Sequence, residues 1–391
     1  PARHRRQGVY TRPVPQRLRG EHKLEKRKVL ILCNKLTGGG VEKVMQDVAN
    51  YLAEKSDLYD VTVTTLEGPD EGRDLLSKNI TIKGIFRSKA AYKKWSLPWV
   101  WFKVRQLFYC IYLTLGKYDI VLTIKDGWYI KLGAHMKANR KIAWVHTGAL
   151  NSDWASAFFK SPEEERNCMA AFSRVICVSE CKRELVIDYS GDPKNLVVCY
   201  NPLNVEEILK RSNEEIELPS ERTHPIFIAV NRLSAEKENI RLLECVKQLG
   251  KDYDFSLWIV GDGEERDNLE KYIQDNNLTN VTLLGWQSNP YPFMKAADWF
   301  VSASTCETYG LTLQEANILE KPGLVATLPV FEECADHKKN LLVDNSVEGL
   351  LKGMADILNG TVKIDASNDP VELQKVMYDD RFEKIERTML G

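Results

Sequence analysis

Short apolar runs alternate with longer segments of helical periodicity along most of the chain. The first run, Val29–Cys33, is typical of a buried strand, and the loop at Asn34–Gly40 leads into apolar residues at helical spacing. Similar runs recur with helical segments between them, which favours an open, mostly parallel sheet covered on both faces. The other strands predicted in this half are Val61–Leu66, Ile80–Ile85, Asp119–Ile124, Lys141–His146, Arg174–Val178 and Leu196–Tyr200.

The pattern begins again after a polar stretch with three prolines at Asn201–Pro225. Helices are predicted between the new strands, for example at Asn239–Leu249 and Glu264–Asn276. The sequence therefore predicts an α/β fold of two doubly wound domains, and the cleft between such domains is the natural place for a ligand. The second set of strands is Ile226–Asn231, Phe255–Val260, Val281–Leu284, Trp299–Ala303, Gly323–Thr327 and Leu341–Val343.

Composition agrees with a two-domain, cytoplasmic protein. The chain has 391 residues, 43% of them apolar, which is more than one core usually serves and enough to exclude a disordered chain. We find no uninterrupted apolar run long enough to cross a bilayer, so no transmembrane helix is predicted. Nine cysteines at irregular spacing argue against a disulfide framework and for a reducing compartment.

The formal net charge of −1 hides an uneven distribution. Residues 1–28 hold ten Lys or Arg against two Glu, and such a tail could contact nucleic acid or anionic lipid. The Pro, Gln and Gly content of the tail instead favours a flexible segment, for which an origin in the expression vector is one explanation. We therefore predict no nucleic-acid partner.

A second basic segment, Arg87–Arg105, holds six cations and no acid, with tryptophans, a tyrosine and a phenylalanine interleaved; we refer to it as the aromatic–basic stretch. Indole rings suit the headgroup level of a bilayer, and each Lys or Arg gains roughly 1 kcal/mol near an anionic leaflet. Pro98 would divide the stretch into two segments. The stretch thus predicts peripheral contact with an anionic membrane, with an ordinary helix, apolar on one face and charged on the other, as the alternative.

A glycine-rich turn, Thr37–Glu42, follows the first strand and precedes the first helix. Glycines let the backbone approach a ligand closely, and a helix N-terminus offers free N–H groups to an anion such as phosphate. The turn is neither a GxGxxG fingerprint nor a P-loop. It indicates a phosphate site only weakly, because a tight strand-to-helix turn needs glycine in any case.

Two cations lie five residues apart at the carboxyl end of the first strand of the second domain. Arg232 and Lys237 are in the position where ligands bind to such sheets, and together they can neutralise a diphosphate. The alternative is a surface Arg beside a Lys that pairs with Glu236 or Glu238.

A polar loop between a strand and a helix carries two glutamates eight residues apart. We expect the strand to end near Ala303, Glu307 to lie in the loop, and Glu315 to lie in a helix that starts near Leu311. Two glutamates at this spacing mean little alone in a chain this rich in Glu. Their location matters, because both can face a cleft whose N–H groups bind phosphate.

Taken in order, these motifs resemble a GT-B glycosyltransferase of the retaining, metal-independent group commonly named family four. The resemblance runs from about residue 29 to residue 344 and implies two Rossmann-like domains that face each other across a cleft. Each motif is unspecific, whereas their joint order is specific. The landmarks are Gly39–Glu42, Trp144–His146, Val178–Glu180, Tyr200–Pro202, Arg232 with Lys237, Ile259–Glu264, Leu284–Trp286, Glu307–Glu315 and Lys321–Pro322.

The resemblance implies a role for each matching residue. Arg232 and Lys237 would bind the donor diphosphate, Glu307 and His146 would lie against the transferred sugar, and these four form the predicted catalytic set. Glu315 would accept hydrogen bonds from the ribose hydroxyls. Further donor contacts would come from Gly39, Gly40, Tyr309, Gly310, Leu311 and Thr312 near the diphosphate and from Gly285, Trp286 and Gln287 near the base.

Two segments depart from the family pattern. The family usually has Gly directly after the Lys, whereas this chain has Glu238 and Asn239, as though one residue were inserted. The usual glycine-rich turn after a later strand is replaced by Leu328–Glu333. We therefore expect unusual recognition of the sugar or the acceptor there.

The resemblance therefore predicts a hexosyltransferase that uses a nucleotide-diphosphate sugar, with UDP-sugar as the most frequent family donor, and needs no metal or other cofactor. The acceptor is a hydroxyl of a saccharide, and the aromatic–basic stretch favours a lipid-linked one at the inner face of the cell membrane, in surface polysaccharide synthesis. A soluble acceptor, a nucleotide-sugar epimerase and a non-catalytic partner subunit stay open as alternatives.

The predicted domain organisation has five parts. They are a basic tail at 1–28, an acceptor-binding domain at 29–200, a linker at 201–224, a nucleotide-sugar-binding domain at 225–368, and a segment at 369–391 that returns to the first domain, as the resemblance implies.

Overall fold

The computed structural model describes residues 25–65, 72–84, 99–146, 158–190, 194–219 and 223–391. The predicted tail lies outside this part up to residue 24, and the aromatic–basic stretch lies outside it up to residue 98. Each half of the described chain contains one parallel sheet. Every predicted strand is found, with ends that differ from the prediction by three residues at most.

The first sheet has seven strands, and its central strands are buried on both faces. Its members are β1 (Arg27–Leu32), β2 (Tyr59–Thr65), β3 (Thr81–Gly84), β4 (Tyr118–Thr123), β5 (Ala138–Val145), β6 (Arg174–Cys177) and β7 (Leu196–Val198). Their order is β3-β2-β1-β4-β5-β6-β7, so the direction of winding reverses between β1 and β4. Ligands of doubly wound sheets bind at the carboxyl ends of the strands beside such a reversal.

Helices cover both faces of the first sheet because each presents an apolar stripe to it. On the first helix, Val44, Met45, Val48 and Leu52 are buried at helical spacing. The helices of this half are α1 (Gly40–Glu54), α2 (Trp99–Leu115), α3 (Trp128–His135), α4 (Pro162–Ala170) and α5 (Glu180–Ser190), with a 3₁₀ turn at Arg73–Leu75. The next helix, α6 (Val205–Arg211), packs through Val205 and Ile208 in the core of the second sheet.

The second sheet has six strands and the same kind of winding. Its members are β8 (Ile226–Val230), β9 (Ser256–Val260), β10 (Val281–Gly285), β11 (Trp299–Ser302), β12 (Gly323–Ala326) and β13 (Asn340–Val343). The order is β10-β9-β8-β11-β12-β13, and the reversal lies between β8 and β11. All residues of β8 and β9 are buried, as expected for parallel strands with helices on both faces.

The three helices predicted by residue in the second half are all present. Two of them confirm predictions closely: one begins and ends where expected, at Asn239 and Leu249, and another begins at Leu311. The set is α7 (Asn239–Leu249), α8 (Arg266–Asp275), α9 (Tyr291–Ala296), α10 (Leu311–Ile318), α11 (Pro329–Cys334), α12 (Val347–Leu358), α13 (Pro370–Gln374) and α14 (Asp380–Leu390), with a 3₁₀ turn at Ala235–Lys237 and a π-helical turn at Lys375–Asp379.

The last helix, α14, packs on the first half of the molecule. Phe382 is fully buried in the core that includes β1 and α1, and its ring stacks on Tyr51 with centroids 4.2 Å apart. Glu386 accepts hydrogen bonds from the Tyr59 hydroxyl at 2.7 Å and from Tyr51 at 3.1 Å. The chain end is therefore tied to the first sheet, whereas the domain limits themselves stay predictions.

No helix among the described residues is long and apolar enough to cross a membrane.

Candidate active site

The glycine turn before α1 contacts the start of α10. A methyl group built on Gly40 would lie 2.8 Å from Leu311 Cδ1, so the two helix N-termini, one from each half, meet at the cleft. Gly39 and Gly310 occupy the two N-cap positions, and neither provides a side-chain hydrogen bond to its helix. The N–H groups of both first turns and the positive ends of both dipoles therefore favour an anion at this place.

Glycine is required at position 310 for two reasons. Its φ of 71° is left-handed, and a Cβ there would lie 2.6 Å from the Phe331 ring. The helix consequently begins at Leu311, as the sequence predicts.

Lys237 and Glu307 form an ion pair between two loops at the carboxyl edge of the second sheet. Lys237 Nζ lies 2.6 Å from Glu307 Oε1, and both side chains are less than one-fifth exposed. Ser304 Oγ donates to the same carboxylate oxygen at 3.1 Å. The alternative in which Lys237 pairs with Glu236 or Glu238 is therefore wrong, and Lys237 and Glu307 of the predicted catalytic set lie together.

Arg232 lies apart from that ion pair. Its side chain is 68% exposed, and Nη2 is 3.3 Å from Glu264 Oε1, whose side chain is also mostly exposed. An exposed pair of this kind contributes little stability, so the guanidinium can turn towards a ligand at low cost.

Glu315 is buried beneath the cleft rather than exposed in it. It accepts a hydrogen bond from the Tyr291 hydroxyl at 2.9 Å. Burial raises the pKa of its carboxyl, and the positive charge of Lys43 on α1 partly opposes that rise. Lys43 belongs to the other half of the chain, so α1 approaches the residue that the resemblance assigns to the ribose.

His146 follows β5 on the opposite side of the cleft and is 5% exposed. Its backbone N–H donates to Asp126 Oδ2 at 3.1 Å, while its Nε2 is buried without a hydrogen-bond partner among the described residues. Burial lowers the pKa of the imidazole to about 3, and the charges of Lys182 and Lys125 add to the effect. The ring is therefore neutral at pH 7, and its Nε2 is shielded from water.

The predicted base-binding segment lies at the end of β10. Gly285 has a φ of 68°, and Gln287 turns its amide back to donate to the Leu284 carbonyl at 2.8 Å. Trp286 is 61% exposed, so its indole offers a flat apolar surface. A heterocyclic base could stack there.

Several hydrogen bonds join the two halves of the chain, and the sequence analysis did not predict them. Glu333 of α11 accepts hydrogen bonds from the backbone N–H groups of Glu180 at 2.7 Å and Cys181 at 2.8 Å, in the first turn of α5. Ser179 Oγ donates to the Thr308 carbonyl at 3.0 Å. Glu333 lies in the segment that departs from the family pattern, but nothing in the sequence points to its partner.

The Tyr309 side chain takes part in the same junction. Its hydroxyl donates to Gln314 Oε1 at 3.1 Å and accepts a hydrogen bond from Arg381, and its ring stacks on Tyr200 with centroids 5.8 Å apart. Only the backbone of Tyr309 is left for the donor contact that the resemblance implies.

Glu238 lies at the first departure from the family pattern. It has a φ of 49° and directly precedes the first residue of α7. This left-handed conformation is one that glycine adopts easily and other residues rarely do. The backbone at Glu238 is therefore in the conformation that a glycine at this position would adopt, whereas the insertion of one residue stays a prediction.

Together, the fold and the candidate site define a class: a chain with two Rossmann-like sheets whose facing helix N-termini meet between them. Two family models match successive parts of the chain: Glycosyltransferase Family 4 over residues 38–207 and Glycosyl transferases group 1 over residues 210–372. The protein belongs to this glycosyltransferase family.

Relatives and solved structures agree with that assignment. An N-acetylgalactosamine-N,N'-diacetylbacillosaminyl-diphospho-undecaprenol 4-alpha-N-acetylgalactosaminyltransferase of Campylobacter jejuni is 29% identical over 51% of this chain and 49% of its own. The lipopolysaccharide core biosynthesis glycosyltransferase LpsE of Rhizobium meliloti is 30% identical over 36% of this chain and 40% of its own. The match thus spans half or less of these curated relatives.

Solved structures whose sequence identity to this chain is lower than that of the relatives show the fold. HepE from Anabaena, solved in complex with UDP and glucose, aligns with a TM-score of 0.73 at 17% identity, over 93% of this chain and all of that one. The predicted GT-B arrangement is confirmed.

Proposed function

We propose that the protein transfers a sugar from a nucleotide-diphosphate donor, a UDP-sugar in the first instance, to a hydroxyl of a saccharide acceptor, with retention of the anomeric configuration. The observation that carries the proposal is the meeting of the α1 and α10 N-termini, beside a loop that holds Lys237 and Arg232. A diphosphate is the part of such a donor that this arrangement of cations and N–H groups suits best.

Each predicted site residue then has a task. Lys237 and Arg232 bind the diphosphate, with Lys237 exchanging part of its bond to Glu307 for the ligand. Glu307 and the free Nε2 of His146 contact the transferred sugar from opposite sides of the cleft. Trp286 stacks on the base, and Glu315 accepts hydrogen bonds from the ribose.

The reaction needs stabilisation of the leaving diphosphate as the sugar–phosphate bond lengthens. Preorganised donors of the kind found here are each worth roughly 3 kcal/mol in a transition state. The phosphate oxygen can take the proton of the incoming hydroxyl on the same face of the sugar. The family resemblance implies this route for retention, and none of its steps involves a metal.

For the acceptor we propose a lipid-linked saccharide in surface polysaccharide synthesis, at the inner face of the cell membrane. Two relatives are named for a diphospho-undecaprenol-linked sugar and for lipopolysaccharide core synthesis. The aromatic–basic stretch, in the half predicted to bind the acceptor, also supports peripheral contact with an anionic membrane.

A panel of nucleotide sugars tests the donor, with hydrolysis and transfer measured for each. Replacing Arg232 with Ala should lower turnover by on the order of 100-fold, since one preorganised donor is lost, while leaving thermal stability unchanged. Arg387, whose side chain is 75% exposed and paired with Glu383, is the matched control, and R387A should keep full turnover.

The same assay separates the alternatives. A new nucleotide sugar formed from the donor alone would indicate an epimerase. Absence of nucleotide-sugar binding by the folded protein would indicate a non-catalytic subunit, and normal turnover of folded R232A would overturn the proposed site.

A further inference from the structure

The outer face of α2 carries a stripe of exposed apolar side chains. The inner face packs on the sheet through Leu113, which is 1% exposed and contacts the core with Leu30 and Leu32. The outer residues recur at helical spacing and are 45–78% exposed. We name them the α2 stripe: Leu107, Phe108, Ile111, Tyr112 and Leu115.

A stripe of this kind is unusual on a surface that faces only water. Single exposed leucines are ordinary, whereas contiguous large apolar side chains mark a site of interaction with a protein or a membrane. The stripe is not needed to hold α2 in place, because Leu113 and its neighbours on the inner face do that.

Lysines border the stripe at its C-terminal end. Lys83 Nζ donates to the Tyr112 hydroxyl at 3.2 Å and lies 5.4 Å from the centre of that ring. Lys28 and Lys117 line, with Lys83, a groove of about 370 Å³ whose wall includes Tyr112 and Leu115. Asp60 is the one carboxylate among the groove's lining residues, and the sequence of α2 contains no acidic residue. At the C-terminal end of the stripe, three lysines therefore face Asp60 and Asp119, which accepts a hydrogen bond from the Lys28 N–H at 2.8 Å, and positive charge is in excess there.

We propose that the α2 stripe docks the protein on an anionic lipid surface. The apolar side chains enter the boundary between headgroups and acyl chains, and Lys28, Lys83 and Lys117 contact lipid phosphates. A second copy of the chain is a poorer occupant, because an isologous contact would set the same lysines against each other. The inference adds a defined docking surface to the proposed membrane location of the enzyme. It rests on the proposed function only for the reason why the protein would bind a membrane.

The topology links this surface to the cleft. β3 ends at Gly84 at the carboxyl edge of the sheet, and β4 starts at Tyr118 at the opposite edge. α2 connects them, so its N-terminal end at Trp99 lies towards the cleft and its C-terminal end lies away from it. A lipid-linked acceptor in the docked membrane would thus reach the cleft past the start of α2.

Cosedimentation of the full chain with vesicles tests the proposal. The wild type should bind vesicles of equal parts phosphatidylcholine and phosphatidylglycerol and should bind pure phosphatidylcholine weakly. The double variant Phe108→Ser/Leu115→Ser should bind at least about tenfold more weakly, since each side chain loses its burial in lipid. Val371→Ser is the matched control, because Val371 is as exposed as Leu115 (79% against 78%) and lies in the other half.

The charge is tested separately. Lys83→Gln/Lys117→Gln should weaken binding to the anionic vesicles by about tenfold or more. Lys352→Gln, in which an exposed lysine of α12 is changed, should not weaken it.

Equal binding of the wild type to both kinds of vesicle, no binding to either, or full binding by the α2 double variant would overturn the proposal. So would a dimer that the α2 substitutions dissociate. Donor hydrolysis without vesicles reports on the proposed function alone and should be unchanged in every α2 variant; its absence in the wild type would refute the enzyme and leave the docking result standing.

Discussion

The two sides of the cleft are built differently. On the second-domain side, charged side chains are held by one another: Lys237 by Glu307 at 2.6 Å, and Arg232 loosely by Glu264 at 3.3 Å. On the side of the first half, the glycine turn holds a similar ion pair, Glu42 with Lys125 at 3.2 Å, but the neighbouring His146 is neutral and buried. The first half therefore differs by placing an uncharged, buried imidazole beside its ion pair.

Substitution of Lys237 is expected to have the largest effect on the difference between the two sides of the cleft. Lys237→Gln should lower turnover by on the order of 100-fold, because a cation that stabilises the leaving diphosphate is gone. It should also lower the free energy of unfolding by about 1–3 kcal/mol, since Glu307 is left partly buried without its ion-pair partner. Steady-state kinetics and urea unfolding measure the two effects.

The double variant Lys237→Gln/Glu307→Gln separates the two roles. It should recover much of the stability and none of the turnover. If turnover returned together with stability, Lys237 would be a structural residue only.

Substitution of His146 tests the side of the cleft that the first half forms. The folded-state His146 pKa of about 3 lies below the ordinary value of 6.5, so between these pH values the unfolded chain binds a proton that the folded protein does not. The contribution of a neutral His146 to stability is thus complete above pH 6.5 and is lost as the pH falls towards 3. In His146→Gln, the free energy of unfolding should fall between pH 7 and pH 4.5 by about 2 kcal/mol less than it does in the wild type.

Urea unfolding at both pH values measures that difference. His135→Gln, at an exposed position at the end of α3, is the control and should behave as the wild type does. An unchanged pH dependence in His146→Gln would show that the imidazole is not held neutral by its surroundings.

Glu238 gives the smallest expected effect. Glycine would relieve a left-handed conformation that costs other residues about 1–2 kcal/mol, at an entropic cost of about 0.5–1 kcal/mol. Glu238→Gly should therefore stabilise the protein by roughly 0.5–1 kcal/mol in thermal unfolding, at nearly unchanged turnover. Glu270→Gly, within α8, should instead destabilise it by about 1 kcal/mol, and the same sign for both variants would contradict the account.

The fold was predictable because it depends on local patterns. Runs such as Ile226–Val230 are apolar throughout, since parallel strands are buried on both faces, and the helices between them have a clear period. The glycine turn and Leu311 were predictable for the same reason, since Gly40 and Gly310 mark helix starts.

The pairings between residues far apart in the sequence were not predictable. Glu307 lies 70 residues from Lys237, and Glu333 lies more than 150 residues from the helix start that it caps. The packing of two loops of the second sheet decides the first pairing, and the docking of the two halves decides the second. The burial of Glu315 and His146, and with it the shift in their pKa values, has the same origin.

The central claim is that a diphosphate binds between the N-termini of α1 and α10. A crystal structure with UDP tests it most directly. We expect the phosphates between the Gly40 turn and Leu311, within hydrogen-bonding reach of Lys237 and Arg232. Phosphates bound elsewhere, with both cations left in their present ion pairs, would contradict the account.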